Sequence, residues 1–356
     1  MTSTTILPLL ALVTIGCSQS PRGEKDAGGP GSDMVLAPSA DLAVPPGGDL
    51  ATGPSAWTLQ INLTSADLYG IWGTSSSNVL VVGGYPPGGD SPPGVRLTWD
   101  GAQWSTDTSF IQYKAVTGSG PNAIAVGAYG GDAAGCSMTV DGSHWSNDID
   151  TIFGGTLRGV WSPAGSTAVF AVGENGLLRY SSSYGMAGTW KNDVASPTTS
   201  NLYAVWGSSP SDIYAVGGYG TIVHTTSGTL GGNATWSAGE ASVADLHAIW
   251  GTSANDIYVV GGDPTETLGT ILHSTDGGAS WPPMIQPALD HPMYAIGGTS
   301  STNLYAVGKG GAIYHSTGDD HWSAEPSPTT QDLLGIWAAP SGELYAVGRA
   351  GTILKK

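Results

Sequence analysis

The stretch Leu202–Gly217 reads LYAVWGSSPSDIYAVG, and its pattern returns along most of the chain. Seven segments align with its first six residues: Leu68–Gly73, Tyr113–Gly118, Leu157–Ser162, Leu202–Gly207, Leu246–Gly251, Met293–Gly298 and Leu333–Ala338. The fifth residue of each falls at 72, 117, 161, 206, 250, 297 and 337. A period of this length is typical of architectures built from stacked supersecondary units.

Three further apolar runs complete each unit. The second run ends in Val-Gly, the third is clearest as GTIVH at Gly220–His224, and a tryptophan opens the fourth. Short runs rich in Val, Ile and Tyr, separated by Gly, Ser, Asn or Asp, are typical of strands and turns. Four strands per unit, repeated seven times, predict an all-β, seven-bladed β-propeller with four-stranded blades.

The two ends of the repeat array predict how the ring closes. The last repeat stops at Lys356 without a fourth-strand tryptophan, and a spare tryptophan stands at Trp57. We therefore expect Trp57–Ile61 to be the outer strand of the last blade, and residues 57–356 to form the propeller domain. Ring closure of this kind removes open sheet edges. The third residue of every first strand is Gly or Ala, as expected where inner strands crowd together.

Composition excludes several classes of protein. The 356 residues include 55 glycines, and charged residues make up 11%, against about 25% in ordinary domains. Both biases disfavour helices. The formal net charge of −17 argues against nucleic-acid binding, which depends on Lys and Arg at phosphates. Two cysteines are too few for a disulfide scaffold.

The N-terminus resembles a bacterial lipoprotein signal. A short apolar stretch, Ile6–Gly16, precedes Cys17, although no Lys or Arg comes before it. The resemblance implies a signal peptide over residues 1–17 and a lipid on Cys17; an ordinary signal peptide is the alternative. Residues 18–56 are rich in Pro, Gly and Ser, which predicts a disordered linker. We expect a protein of the cell envelope, anchored by lipid to a bacterial membrane, with the outer membrane favoured, or a secreted one.

One hairpin resembles the Asp-box, or BNR, repeat. Its residues are Ser274, Asp276, Gly278 and Trp281, with Ser280 where the family has Thr. The whole repeat is also similar to propellers related to the photosystem II assembly factor and to repetitive lipoproteins of myxobacteria. The resemblance implies that Asp276 accepts backbone hydrogen bonds in a structural turn on the face opposite the usual binding face.

The search for catalytic chemistry gives no clear constellation. A sialidase needs an arginine triad, but the domain's arginines are only Arg96, Arg158, Arg179 and Arg349. Other glycosidases need two carboxylates across a cleft, and no such pair stands out. His224, His273 and His315 occupy one repeat position in different blades, so they cannot share a metal ion. We expect no metal and no cofactor. The sequence leaves open whether the protein is an enzyme and favours one that is not.

One face carries the candidate binding residues. Connections between the second and third strands are longest at Gly84–Gly94, Ala128–Gly135 and Gly262–Gly269. Long loops on a rigid scaffold often carry function. The candidates there are Tyr85, Tyr129, Tyr219, Glu174, Lys309 and Arg349, with loop filling as the alternative for the tyrosines. The sequence favours a monomeric, non-catalytic binding or scaffold module for an envelope protein or glycan; a carbohydrate-active, glycoside hydrolase-like enzyme is the alternative.

Overall fold

The chain forms antiparallel strands joined by short turns, as its Val-, Ile- and Tyr-rich runs predict. A computed structural model describes residues 56–60, 63–85, 94–120, 122–129, 132–139, 144–148, 155–184, 189–192, 196–226, 235–242, 244–283 and 289–356. The predicted signal peptide, the lipidation at Cys17 and the predicted linker up to residue 55 lie outside these ranges.

Hydrogen bonds group the described strands into six four-stranded sheets and one three-stranded sheet. The first three sheets contain β2 Asp67–Ser75, β3 Asn78–Gly84, β4 Gly94–Trp99 and β5 Trp104–Ser109; β6 Gln112–Ser119, β7 Asn122–Tyr129, β8 Asp132–Thr139 and β9 His144–Asp148; and β10 Leu157–Trp161, β11 Val169–Gly173, β12 Leu178–Ser181 and β13 Lys191–Asn192.

The remaining sheets repeat the same order. They contain β14 Leu202–Ser209, β15 Asp212–Gly217, β16 Thr221–Thr225 and β17 Ser237–Glu240; β18 Asp245–Ser253, β19 Asp256–Gly262 and β20 Gly269–Ser274; β21 Met293–Ser300, β22 Asn303–Gly308, β23 Ile313–Ser316 and β24 Ser323–Ala324; and β25 Leu333–Ala338, β26 Leu344–Gly348, β27 Ile353–Lys355 and β1 Thr58–Leu59. Short 3-10 turns lie at Glu174–Gly176, Gly218–Gly220, Lys309–Gly311 and Arg349–Gly351.

The N-terminal strand belongs to the last sheet. β1 pairs antiparallel with β27, with Thr58 opposite Lys355. Trp57 is buried, and its Nε1 donates a hydrogen bond to Glu325 Oε2 at 2.9 Å. The Lys356 ammonium lies 2.7 Å from the other oxygen of the same carboxylate. The two ends of the domain are thus joined by a strand pairing and by Glu325, at the place indicated by the spare tryptophan.

The prediction of four strands per sheet is wrong for the sheet of β18, β19 and β20. Trp281 precedes Pro282 and Pro283, and the described residues there form two isolated bridges to β20, between Leu272 and Pro283 and between Gly269 and Leu289. Proline has no backbone N–H to donate to a strand ladder, so two consecutive prolines prevent a regular fourth strand. The His273 N–H still donates to the Pro282 carbonyl at 3.3 Å.

The first strands of consecutive sheets contact one another, and β25 contacts β2. A Cβ atom added at Gly159 would lie 2.9 Å from Ala204 Cα, and one at Gly335 would lie 3.0 Å from the Tyr69 carbonyl oxygen. Backbones this close leave room only for small side chains. The structure therefore confirms the expected crowding of the inner strands.

Tryptophans of the first strands pack onto glycines of the next sheet. Added Cβ atoms would lie 2.3 Å from Trp72 at Gly118, 2.7 Å from Trp161 at Gly207 and 2.8 Å from Trp206 at Gly251. The Trp337 ring lies as close to Gly73, which joins the last sheet to the first. Trp281 and Trp322 also pack between sheets, edge-on to Tyr214 and Tyr258. The tryptophans are therefore part of a β-propeller core.

Candidate functional site

One end of the sheets gathers the features that could bind a partner. Because strands alternate in direction, the connections between second and third strands lie at the same end as those leading into the first strands. We call this end the loop face. The candidate residues predicted from the sequence lie here, and a cavity opens among the first residues of the inner strands.

A cavity of about 320 Å³ lies at the loop face and is lined by Tyr69, Lys114, Arg158, Tyr203 and His247. Each occupies the second position of the six-residue repeat segment in a first strand, and the five come from five consecutive sheets. Burial alternates along β2, where Leu68 and Gly70 are buried and Tyr69 is partly exposed. The strand period of two therefore directs this one repeat position into the cavity.

Aromatic rings flank the two neighbouring cations of the cavity. The Lys114 ammonium lies 3.9 Å from the centre of the Tyr69 ring, and the Arg158 guanidinium lies 5.7 Å from that of Tyr203. The rings of Tyr203 and His247 are 5.9 Å apart. Such cation–π contacts hold cations over aromatic faces without neutralising them. The cavity thus offers positive charge framed by flat surfaces.

Lys114 carries an uncompensated charge. Burial, followed by the nearby Arg158 charge, lowers the pKa of Lys114 to about 8, against the opposing influence of Asp67 and Glu174. Among the residues with described side chains, no carboxylate oxygen lies within ion-pair distance of its ammonium. Among the described side chains, the Lys114 ammonium therefore has no anionic partner.

Arg158 is only partly satisfied. One of its terminal nitrogens lies 2.6 Å from Glu174 Oε1, while its Nε is buried and has no hydrogen-bond acceptor in the described part of the chain. Burial raises the pKa of Glu174, but hydrogen bonds from the Thr156 N–H and from Arg158 outweigh it, so the pKa lies below its ordinary value. Glu174 is thus an ionised partner that fixes Arg158.

The three predicted tyrosines differ in environment. Tyr219 is 77% exposed, and Tyr129, at the end of β7, is 40% exposed. Tyr85 is partly buried, packs against the core of the first sheet, and its hydroxyl lies 3.0 Å from the Thr64 hydroxyl. Two of the three therefore present a ring to solvent at the loop face. The binding role of all three stays a prediction.

The three predicted charged residues begin 3-10 turns. Glu174 bonds to the cavity residue Arg158. The Lys309 ammonium donates to the Glu266 carbonyl at 2.8 Å. Arg349 Nε donates to Asp332 Oδ2 beside its own sheet at 2.8 Å, and Arg349 Nη1 lies 3.5 Å from Asp67 Oδ2 of the first sheet. Lys309 and Arg349 thus bridge neighbouring sheets, and Glu174 alone of the three bonds directly to a cavity residue.

The 3-10 turns also tie each sheet to the next. Their middle residues have positive φ, and each donates its N–H to a side-chain oxygen just before or at the start of the next first strand. The donor–acceptor pairs are Asn175–Asn201 at 3.0 Å, Tyr219–Asp245 at 2.8 Å, Gly310–Asp332 at 2.9 Å and Ala350–Asp67 at 3.1 Å. The sheets that follow longer connections have Gln112, Thr156 or Pro292 at this position. Sequence reasoning missed this coupling. The signal was present in the sequence, because each short turn between a second and a third strand is followed by Asn or Asp just before or at the start of the next first strand.

Sequence reasoning also missed the residues that line the cavity. The second repeat position reads Tyr69, Lys114, Arg158, Tyr203, His247, Tyr294 and Leu334. Its neighbours in the repeat are nearly uniform, with Leu, Tyr or Met before it and Gly or Ala after it. Variation at one position of a uniform repeat indicates that this position is free of the packing that fixes the others. That signal pointed to the cavity.

The hairpin at Asp276 forms a dense hydrogen-bonded turn at the opposite end. Asp276 accepts from the Ser280 hydroxyl at 2.6 Å and the Ser280 N–H at 2.9 Å, and it lies 2.9 Å from the Ser274 hydroxyl. These bonds, led by the Ser280 hydroxyl, lower the pKa of Asp276 to about 2. The Gly277 carbonyl accepts from the Tyr214 hydroxyl of the preceding sheet. The hydrogen bonds of Asp276 therefore stabilise this hairpin turn.

The repeated histidines contact residues of their own sheets. The nearest polar contacts are His224–Asp212 at 2.7 Å, His273–Asp256 at 2.9 Å and His315–Asn303 at 2.9 Å. Within the described ranges, no group of three His, Cys, Asp or Glu residues is placed to hold a metal ion. Among the same residues, none of the helices is long and apolar enough to cross a membrane.

Comparison with curated proteins gives one partial similarity. No family model matches the chain. The immune protein Tsi7 of Pseudomonas aeruginosa is 43% identical over 61 residues, which are 17% of this chain and 20% of that protein. The chain therefore matches about a fifth of the length of this curated relative.

Solved structures resemble the chain over most of its length. YCF48 from Cyanidioschyzon merolae covers 85% of this chain and 98% of its own, with a TM-score of 0.64 and 17% identity. YCF48 bound to D1 peptide gives a TM-score of 0.62 at 18% identity, covering 85% of this chain and 97% of that one. The WD40 propeller domain of Doa1 gives 0.61 at 9% identity with the same coverage. These similarities confirm that the chain folds as a β-propeller.

Proposed function

We propose that this β-propeller is a non-catalytic binding module whose loop face captures a protein partner. One observation carries the proposal. Six large hydrophobic side chains are exposed among the described residues, and five of them lie at the loop face: Leu63, Phe110, Tyr129, Tyr219 and Leu268. Apolar and aromatic side chains gathered on one face are typical of protein interaction sites.

The comparisons support a polypeptide partner over a glycan. One similar solved structure is YCF48 bound to D1 peptide, so a propeller of this shape holds a peptide. The partial relative Tsi7 is named an immune protein. Neither similarity identifies the partner of this chain, which we propose only as a protein of the cell envelope.

The carboxylates of the loop face support a non-catalytic role. Asp67, Asp245 and Asp332 accept hydrogen bonds from the 3-10 turns, and Glu174 is paired with Arg158. A glycosidase needs one carboxylic acid whose pKa is raised. Among the described carboxyl groups whose pKa shifts, every shift is downwards, as it is for Glu174. The alternative of a glycoside hydrolase-like enzyme therefore lacks its acid among these groups.

We also propose that the sheets are seven blades of one closed ring. Three contacts between the last sheet and the first support this arrangement: Trp337 against Gly73, the Ala350 N–H on Asp67, and Arg349 Nη1 at 3.5 Å from Asp67 Oδ2. The same Trp–Gly and turn contacts join internal neighbours. The hydrogen bonds of Asp276 likewise support an Asp-box type of turn in the hairpin after β20.

For the N-terminus we propose lipidation of Cys17 and anchoring at the cell envelope. The motif Thr14-Ile15-Gly16-Cys17 and the linker composition support it. Stable anchoring needs more than a single acyl chain. The modified cysteine of bacterial lipoproteins carries more than one. Replacing Cys17 with Ala is expected to move the protein from the membrane fraction to a soluble or unprocessed pool, measured by fractionation and immunoblotting. An unchanged distribution would contradict the anchor.

The partner-binding proposal is tested with a matched pair of variants. Phe110, Tyr219 and Leu268 are replaced together by Ser, and the control replaces the exposed Leu59 of β1 by Ser. We expect the triple variant to keep its melting temperature, because these side chains are 71%, 77% and 53% exposed, and to lose capture of envelope proteins that the wild type retains. If capture survives the triple change but is lost when residues around Asp276 are altered, the partner binds at the opposite end and the loop face is not the binding face.

A further inference from the structure

Two cationic groups in the central cavity lack acceptors for their charge and hydrogen bonds. Lys114 has no carboxylate partner among the described side chains, and the buried Nε of Arg158 has no acceptor there. Buried polar groups in native proteins are normally hydrogen-bonded, so a donor left over inside a cavity needs an explanation. Two cationic side chains, Lys114 and Arg158, line one cavity of about 320 Å³, which offers space for a bound anion.

We infer that this cavity binds a carboxylate group of a polypeptide partner, held by the Lys114 ammonium and the Arg158 guanidinium between the rings of Tyr69, Tyr203 and His247. The inference rests on the proposed function and names the chemistry recognised at the centre of the loop face. A cavity of this volume is at the small end of ligand pockets, so it fits one residue or a chain end.

The charges around the cavity select a singly charged anion. Glu174 already neutralises part of the Arg158 charge, and the Asp67 charge acts on Lys114. A dianionic phosphate would bring a second negative charge towards these carboxylates, on a chain with net charge −17. A carboxylate matches the remaining single positive charge, and its planar group suits the flanking aromatic rings.

Binding of an anion should also move a proton. Burial and Arg158 lower the pKa of Lys114 to about 8, while Asp67 and Glu174 act against them and the neutral Tyr69 ring lies beneath the ammonium. An anion beside the ammonium favours its charged form and raises this pKa. At pH 8 the free protein is about half protonated at Lys114, so saturation takes up to about half a proton per site.

The test is a calorimetric titration of the full chain with benzoate and with benzamide, a neutral molecule of similar shape. We expect benzoate to bind at least tenfold more tightly than benzamide, and Lys114→Met to weaken benzoate at least tenfold. Lys114→Arg should retain binding, and so should Lys191→Met, which removes an exposed charge from β13. Titration at pH 8 in two buffers of different ionisation enthalpy should report proton uptake that Lys114→Met abolishes.

Three results would overturn the inference: no benzoate binding in the millimolar range, equal binding of benzamide, or benzoate binding unchanged by Lys114→Met. The source of the carboxylate is tested with Gly-Gly-Phe, its C-terminal amide, and acetyl-Gly-Glu-Gly-amide. Preference for the free tripeptide assigns a chain terminus, and binding of the glutamyl peptide assigns a side chain. Binding of benzoate but neither carboxylate peptide would contradict a polypeptide ligand.

The two proposals fail in different experiments. If the triple loop-face variant still captures partners, the proposed function is wrong whatever the benzoate result. If that variant loses capture while benzoate fails to bind the wild type, only the carboxylate site is wrong.

Discussion

At the scale of single residues, the fit between neighbouring sheets depends on a glycine beneath a tryptophan. Gly118 faces Trp72 and Gly207 faces Trp161. Where the preceding sheet has Thr117 or Gly297 in place of tryptophan, the facing residue is Ser162 or Ala338. The two positions thus vary together across neighbouring repeats, because the space that a ring occupies is not available for a Cβ atom.

The pair Trp72 and Gly118 allows a double-mutant cycle. Gly118→Ser is expected to lower the free energy of unfolding by about 1–3 kcal/mol, the usual effect of overpacking. In a Trp72→Thr background, which reproduces Thr117 with Ser162, the same change should cost clearly less, because the ring is gone and only the contact with the Asn122 carbonyl oxygen, at 2.6 Å, is left. Denaturant unfolding measures both, and Gly239→Ala is the control because no atom lies within 4 Å of a Cβ there. Equal effects of Gly118→Ser in both backgrounds would contradict the contact.

Lys114 should make stability depend on pH in the alkaline range. Its pKa is about 8 in the folded protein, against an ordinary value of 10.5. Between these values the unfolded chain binds more protons, so the free energy of unfolding rises with pH through this window. Lys114→Met should remove that rise, measured by denaturant unfolding from pH 7.5 to about 10.

Lys191→Met is the control for the pH experiment and should keep the wild-type slope. Burial raises the pKa of Tyr294 and Tyr314 to about 12, which lowers stability as pH rises above the ordinary tyrosine value. All three proteins share those tyrosines, so the comparison isolates Lys114. The same slope in Lys114→Met as in wild type would show that Lys114 is not held in a desolvated site.

At the scale of elements, each short 3-10 turn has a partner in the next sheet. The Tyr219 N–H donates to Asp245 Oδ1, and its φ of 57° lies in the left-handed region. The first strands that follow longer connections have Gln112, Thr156 or Pro292 in place of the Asn or Asp acceptor. The turn and the start of the next first strand therefore form one unit across the boundary between sheets.

Asp245→Ala is expected to lower the free energy of unfolding by about 1 kcal/mol, since it removes one hydrogen bond to a charged acceptor at the surface. Asp245→Asn should cost clearly less, because Asn201 accepts the equivalent bond from the Asn175 N–H. Thermal unfolding of the two variants at equal ionic strength measures the difference. Equal losses for Ala and Asn would mean that the side-chain oxygen of Asp245 is not used.

At the scale of the whole molecule, the N-terminal strand completes the last sheet. Trp57 packs edge-on against Tyr305 of the preceding sheet, with ring centres 5.9 Å apart, and bonds to Glu325. Deleting residues 1–62 should therefore lower the melting temperature by many degrees, since loss of a buried tryptophan alone costs about 3–5 kcal/mol. Deleting residues 1–50 should leave it nearly unchanged. Equal melting temperatures for the two truncations would contradict closure by β1.

The sequence determined the repeat, the strand runs and the place of the N-terminal strand. These follow from local rules: period-two burial, turn residues between runs, and the spare Trp57 matching the missing one after Lys356. The same rules wrongly predicted a regular fourth strand after β20, although the sequence has Pro282 and Pro283 there. The period of the repeat correctly predicted the position of Trp281. It did not take into account that Pro282 and Pro283 lack the backbone N–H groups that a regular strand needs.

Only the tertiary structure decided which residues meet at the centre. Lys114 and Arg158 are 44 positions apart and come together because neighbouring first strands lie side by side around an axis. Loop length predicts a site on the long loops, yet Lys309 and Arg349 bond across sheet boundaries, and the cavity is lined by inner strands. The charge and burial of a side chain at the cavity depend on residues from several sheets at once. The pattern within one repeat therefore cannot predict which side chains meet there.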